Sequence, residues 1–147
     1  MKTASVLFDT SVYVGYPDRI ELDRPGWFSS VVFQELLVGA SGKADLQKWE
    51  AIAKHYDRQK RLLTPSAEAW RMAGRILNHI VSDAGRNQPG RRRPKFSNDK
   101  KQSIIRDVLI AVSAKQAGVT VISDNEDFPL ITNYYDFRWL AAGPFFA

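Results

Sequence analysis

Short, wholly apolar runs alternate along this chain with longer stretches in which apolar residues recur every three or four positions. Val6-Leu7-Phe8 is the first such run, and an uninterrupted apolar triplet suits a strand covered on both faces. Trp27-Phe28 and Leu62-Leu63 are shorter candidates. Val119-Thr120-Val121-Ile122 is the clearest strand, and Phe137 to Leu140 reads as a last, edge strand. Between the strands lie helical patterns. Thr10 or Ser11 starts a helix through Val14. Ser29 or Ser30 caps a second over Val31 to Val38, stopped near Gly39. Lys43 to Lys60 is amphipathic, with Leu46, Trp49, Ile52 and Ala53 on one side. Thr64-Pro65 opens a fourth helix, whose stripe is Trp70, Ala73, Leu77, Ile80 and Val81. From about Gln102 to Ala117 apolar residues cover most of the circumference, which predicts a central buried helix ended by Gly118. Tyr16 to Gly26 and Asn87 to Asp99, rich in proline and charge, read as loops.

Helices alternating with short buried strands predict an α/β fold, a three-layer α/β/α sandwich with a central, mostly parallel sheet. At 147 residues, one domain is expected over the whole chain. In such sheets the functional crevice lies beyond the carboxyl ends of the strands.

Composition narrows the class. Apolar residues are 44% and charged residues 25%, values of a globular chain. No apolar run approaches the roughly 18 residues of a membrane span, and Asp9 interrupts the first run too early for a signal peptide. No membrane partner is therefore expected. With no cysteine there is no disulfide, thiol nucleophile or thiolate zinc site, and a cytoplasmic location fits. The net charge is +5, and it is uneven. Residues 86–101 hold seven cations (Arg86, Arg91, Arg92, Arg93, Lys95, Lys100 and Lys101) against Asp99, so this segment carries +6 and the rest of the chain −1. A basic loop insertion of this kind suits a polyanionic partner such as nucleic acid; a solvated loop without a partner is the alternative.

The informative acids sit where acids are costly. Asp9 ends an apolar strand, Glu35 lies in the almost wholly apolar Val31-Val32-Phe33-Gln34-Glu35-Leu36-Leu37-Val38, and Asp107 lies early in the buried helix. Asp124 and Asp127 follow the clearest strand. A buried carboxylate is expensive unless it is paired or holds a cation, so acids at several strand ends and helix starts are expected to converge on a metal. His55 and His79 fall on outer helices, which leaves an all-oxygen ligand set suited to Mg²⁺ or Mn²⁺. Such an ion beside a cationic loop is a coherent arrangement for phosphodiester hydrolysis. Taken singly, Asp9 can also be a helix cap, Glu35 an arginine's partner, and Asp107 a favourable charge at a helix N-terminus.

Three blocks resemble the PIN-domain nucleases, and most closely the VapC toxins of VapBC toxin–antitoxin pairs. Val6-Leu7-Phe8-Asp9-Thr10-Ser11-Val12 is similar to the opening strand with its metal-binding Asp. Ser29-Ser30-Val31-Val32-Phe33-Gln34-Glu35-Leu36-Leu37-Val38-Gly39-Ala40 is similar to the Ser-rich strand end, Glu-Leu pair and Gly-Ala stop. Asp107-Val108-Leu109-Ile110-Ala111 through Gly118, Val121-Ile122-Ser123 and Asp127-Phe128 are similar to the third-acid helix and the strand leading to Asp-Phe. The resemblance implies a PIN-like fold and a metal-dependent endoribonuclease, the toxin of a type II toxin–antitoxin system, leaving a 5′-phosphate and a 3′-hydroxyl. It implies catalytic roles for Asp9, Glu35, Asp107 and Asp127, with Mg²⁺, or Mn²⁺ in its place, held by Asp9, Asp107 and Glu35. Ser11 and Ser123 would orient a ligand or water. The fourth acidic position departs from the family: Asn125 stands there as a neutral ligand, or Asp124 or Asp127 supplies the charge. Implied partners are an RNA substrate and a VapB-like antitoxin, with a homodimer left open. Arg91, Arg92, Arg93 and Lys95 would hold the RNA backbone. A PIN nuclease of RNA maturation without an antitoxin, and an inactive nucleic-acid-binding PIN-like domain, are the rival readings. Trp49 and Trp70 read as core. Phe96 reads either as structural or as a base-stacking ring. The apolar tail from Trp139 reads as docked on the body or as an interface.

Overall fold

The computed structural model describes residues 5–22, 26–86 and 96–147. Strand β1 (Val6–Phe8) is followed by α1 (Thr10–Gly15), a 3₁₀ turn (Pro17–Arg19) and β2 (Gly26–Ser29). Then come α2 (Ser30–Val38), α3 (Lys43–Arg58), β3 (Leu62–Leu63), α4 (Ala67–Arg86) and α5 (Asn98–Ala117). The chain closes with β4 (Thr120–Ile122), α6 (Asp127–Thr132), β5 (Trp139–Leu140) and α7 (Ala142–Phe146).

The five strands form one sheet in the order β3-β2-β1-β4-β5, and every pair is parallel. Parallel strands need helical crossovers, which cover the sheet and explain why β1 and β4 are buried throughout. The chain moves outward from β1 through β2 to β3, then returns across the sheet to β4 on the other side of β1. The strand order thus reverses between β1 and β4, and a crevice opens beyond their carboxyl ends. Phe8 pairs with Ile122, so Asp9 and Ser123 are the first residues past the sheet on either side of that crevice.

The core runs through Leu7, Val12, Phe28, Val32, Ile104, Val108, Ile110, Val121, Ile122 and Phe128, all essentially without solvent contact. Helix α5 is buried along most of its length, as its apolar circumference predicts. It begins at Asn98, however, four residues before the expected Gln102. The Ser97 hydroxyl accepts from the Lys100 amide at 3.1 Å and caps the helix there, so Asn98 to Lys101 are helical rather than loop. Gly118, with φ +70°, closes it in the left-handed region.

Helix α4 departs from expectation in two ways. Its cap is Ser66, not Thr64: the Ser66 hydroxyl accepts from the Ala69 amide at 3.1 Å. Proline at 65 disfavours a helical residue before it, so the helix opens after it. Its buried line is Ala69, Ala73, Ile76 and Ile80, and Trp70 is 58% exposed rather than core. Helices α4 and α5 form the most extensive helix contact, and on α4 the small Ala69 and Ala73 are fully buried where the indole is not. Trp49 does pack, meeting Tyr13 edge-on at 5.9 Å between ring centroids.

Helices α6 and α7 have no counterpart in the expected elements. Helix α7 docks the tail: Phe145 and Phe146 pack on Phe8 at centroid distances of 6.0 and 5.7 Å, and the Arg19 guanidinium donates to the Phe146 carbonyl. Phe96 packs partly buried against the core, the structural alternative of the two expected for it. Arg91, Arg92, Arg93 and Lys95 lie outside the described residues. Among the described residues no helix is long and apolar enough to cross a membrane.

Candidate functional site

The crevice between β1 and β4 is built from residues that the local fold places one after another at its rim. Asp9 leaves the buried end of β1 and sits at the N-cap position of α1, but its side chain caps nothing. Its Oδ2 instead accepts from the Ser123 hydroxyl at 2.8 Å and from the Ser11 hydroxyl at 3.1 Å. Each serine oxygen in turn accepts from a backbone amide after β4, Asn125 N to Ser123 at 2.9 Å and Asp124 N to Ser11 at 3.3 Å. The two hydroxyls therefore fix Asp9 against the turn that follows β4. Among the described residues no hydrogen bond falls on the other oxygen of Asp9, which stays available to a ligand.

Glu35 comes from α2, whose first turn is capped by the Ser29 hydroxyl accepting from the Val31 and Val32 amides. Asp107 comes from the buried stretch of α5 and is 3% exposed. Ligand oxygens of Asp9, Glu35 and Asp107 all lie within 4.8 Å of one another. Burial raises the Glu35 carboxyl above its ordinary pKa, and Asp9 adds to that; the Arg106 guanidinium and the nearby Thr10 hydroxyl pull it back. Asp107 is pushed up to about 9, first by burial, then by Asp9, by Asp127 and by Glu35. Carboxylates so crowded have two ways to relax: one takes a proton, or all share a cation.

The residues fit a divalent cation. The donor set is all carboxylate oxygen, and the buried Oε1 of Glu35 and Oγ1 of Thr10 have no hydrogen-bond partner at bonding geometry. Unpartnered buried oxygens at the edge of an acidic cluster suit an ion and its waters.

The remaining expected residues occupy different stations. Asn125 donates from Nδ2 to Asp107 Oδ2 at 3.1 Å, and its Oδ1 accepts from the Asp127 amide at 3.0 Å, so both ends of this side chain are engaged. Asp127 stands behind Asp107, with one oxygen held by Lys100 Nζ at 2.7 Å and the other accepting from the Ser103 hydroxyl at 3.4 Å. Asp124 turns away from the cluster. It accepts from the Tyr16 hydroxyl at 2.5 Å and from the Ala142 amide at 2.9 Å, and the Tyr16 hydrogen bond holds its carboxyl below the usual range. Sequence reasoning counted Lys100 only among the cations of the basic segment and read Thr10 only as a helix start, and it passed over Ser103 and Arg106. Lys100, Ser103 and Asp107 stand three and four residues apart, which places them on one helix face; that spacing is the signal that could have found Lys100 and Ser103.

No family model matches the sequence, and no curated protein matches it. Solved structures do. A DNA-bound VapBC from Salmonella typhimurium superposes with a TM-score of 0.59 at 17% identity, covering 95% of this chain and 99% of that one. VapBC-5 of Mycobacterium tuberculosis gives 0.53 at 20% identity, covering 95% and 98%. VapBC-1 of nontypeable Haemophilus influenzae gives 0.55 at 17% identity, covering 95% and 98%. Together with the sheet order and the crevice beyond β1 and β4, these superpositions establish that the chain has the PIN-like α/β/α fold of the VapBC toxin–antitoxin structures.

Proposed function

We propose that this chain is a metal-dependent endoribonuclease and the toxin member of a VapBC-like toxin–antitoxin pair. One observation carries the reading: carboxylates from three separate segments, Asp9, Glu35 and Asp107, converge within 4.8 Å in a buried crevice. Mg²⁺, or Mn²⁺ in its place, held by these three would neutralise phosphate oxygens and lower the pKa of water at the site. Ser11 and Ser123 hold Asp9 in one orientation through their hydrogen bonds to Oδ2. Asn125 does the same for Asp107. Glu35, with its stranded oxygen at the cluster, positions the attacking water and accepts its proton. Asp127 and Lys100 form a half-buried pair that braces the back of Asp107. The cations Arg91, Arg92, Arg93 and Lys95 hold the RNA backbone without reading sequence.

A partner of the VapB kind is supported by an apolar groove of about 180 Å³ away from the acids, between the α1 region and α3, with Tyr13, Ile20, Leu22, Trp49 and Ile52 among its walls. An amphipathic partner segment fits such a groove.

The decisive assay is cleavage of RNA with Mg²⁺, run beside a chelated control. Asp9→Asn and Asp107→Asn should each lower the rate by at least about a hundredfold. Full activity in both variants ends the proposal.

A further inference from the structure

Beside the acidic cluster lies a second concavity, of about 250 Å³, lined by Ser30, Gln34, Thr64, Trp70 and Arg106, with Leu109 among its apolar walls. It shares its elements with the cluster. Gln34 precedes Glu35 on α2, and Arg106 precedes Asp107 on α5, so both sites draw on the same two helices, and the charge of Arg106 is felt at Glu35. Among the described Phe, Tyr and Trp side chains, Trp70 alone has more than half its surface in solvent. Its indole N–H has no acceptor among the described residues, and the side chains of Ser30, Gln34, Thr64 and Arg106 form no hydrogen bond or ion pair there. Arg106 acts on Glu35 only through its field.

The indole plane opens to solvent beside four polar side chains that make no hydrogen bond among the described residues, a mixed aromatic and polar lining rather than a packing surface. The combination matches one ligand chemistry. A nucleobase offers a π-face to Trp70 and hydrogen-bonding edges to Gln34, whose amide both donates and accepts. The phosphate attached to it offers negative charge to Arg106, whose planar fork suits phosphate oxygens. An apolar peptide segment would leave Arg106 and Gln34 without partners.

We propose that this pocket is a nucleotide subsite of the nuclease: one unpaired nucleotide next to the scissile bond stacks its base on Trp70 and sets its phosphate against Arg106. The inference rests on the nuclease reading and adds a substrate requirement to it, an unstacked base beside the cut. A base inside a duplex cannot reach Trp70, so single-stranded or looped RNA is the substrate class.

The test pairs a protein change with an RNA change. Short unpaired RNA hexamers, each with one abasic position, are titrated onto the Asp9→Asn chain with and without Trp70→Ala. One position should exist at which loss of the base weakens binding about tenfold with Trp70 present and not at all with Trp70→Ala, while Trp70→Phe keeps most of the effect. Mn²⁺ binding measured on Trp70→Ala in the otherwise unchanged chain should equal that of the parent, since the side chain is exposed and does not reach the acids. Equal abasic penalties with and without Trp70 overturn the subsite while leaving the nuclease intact. A parent chain that neither binds nor cuts RNA overturns both. If Trp70→Ala leaves the RNA series unchanged and instead releases a bound protein or a second copy of the chain, the pocket is a protein interface and the proposal falls.

Discussion

At the scale of single residues, Asp107 concentrates the electrostatics of the molecule. Its carboxyl is pushed up to about 9 by burial and by three neighbouring acids. In the unfolded chain it titrates near 4. Without metal it therefore holds a proton at neutral pH. The stabilisation this proton provides is complete below about pH 4 and is lost as pH rises through 9. The melting temperature of the metal-free protein should accordingly fall between pH 5 and pH 9, and Asp107→Asn should flatten that slope. Mn²⁺ must displace the same proton, so its affinity measured by calorimetry should rise over this range. The acids of this cluster were legible in the sequence for one reason: Asp9, Glu35 and Asp107 each break an apolar run, and a charge there needs a compensating partner. Asn125 and Asp127 were harder to place. A polar turn tolerates such residues for ordinary reasons, and only the folded chain reveals that Asn125 bonds Asp107 whereas Asp124, one residue earlier, faces Tyr16 and the tail.

At the scale of elements, caps decided what periodicity left open. Apolar spacing located α3, α4 and α5, but Ser97 and Ser66 set where two of them begin. Trp70 falls on the flank of α4's buried line rather than within it, because an indole and an alanine score alike as apolar on a helical wheel. Close helix packing distinguishes them by size, and the alanines take the fully buried positions. Helices α6 and α7 escape sequence reasoning because each spans barely a turn and a half, too short to establish a period. Gly118 ends α5 as expected, and its role can be measured. A methyl group there would meet nothing within 4 Å, so Gly118→Ala probes backbone conformation alone. It should lower unfolding free energy by about 1 kcal/mol in a denaturant titration, with no change in metal binding.

At the scale of the whole molecule, the parallel sheet and its helical layers were legible because fully apolar strands require cover on both faces. The sheet order was not, since short strands carry no signal for their neighbours. Charge is the other global property. The net +5 comes from one segment on an otherwise nearly neutral chain. Replacing Arg91, Arg92, Arg93 and Lys95 by alanine should reduce the slope of log affinity for RNA against log salt by about 3, or about 0.7 for each phosphate no longer neutralised. Folding should be unaffected.

Asp9 and its hydrogen-bond partner Ser123 are 114 positions apart, and Asp107 lies nearly as far along the chain. During synthesis the first ligand emerges long before the last, and a growing chain has nothing with which to complete the cage. Chemical competence arrives only when β4 settles beside β1, among the last long-range pairings available. For the RNA-cleaving enzyme proposed above, which would attack the very class of molecule from which it is translated, this ordering is a safeguard: each copy stays inert until the segment carrying β4 has been made.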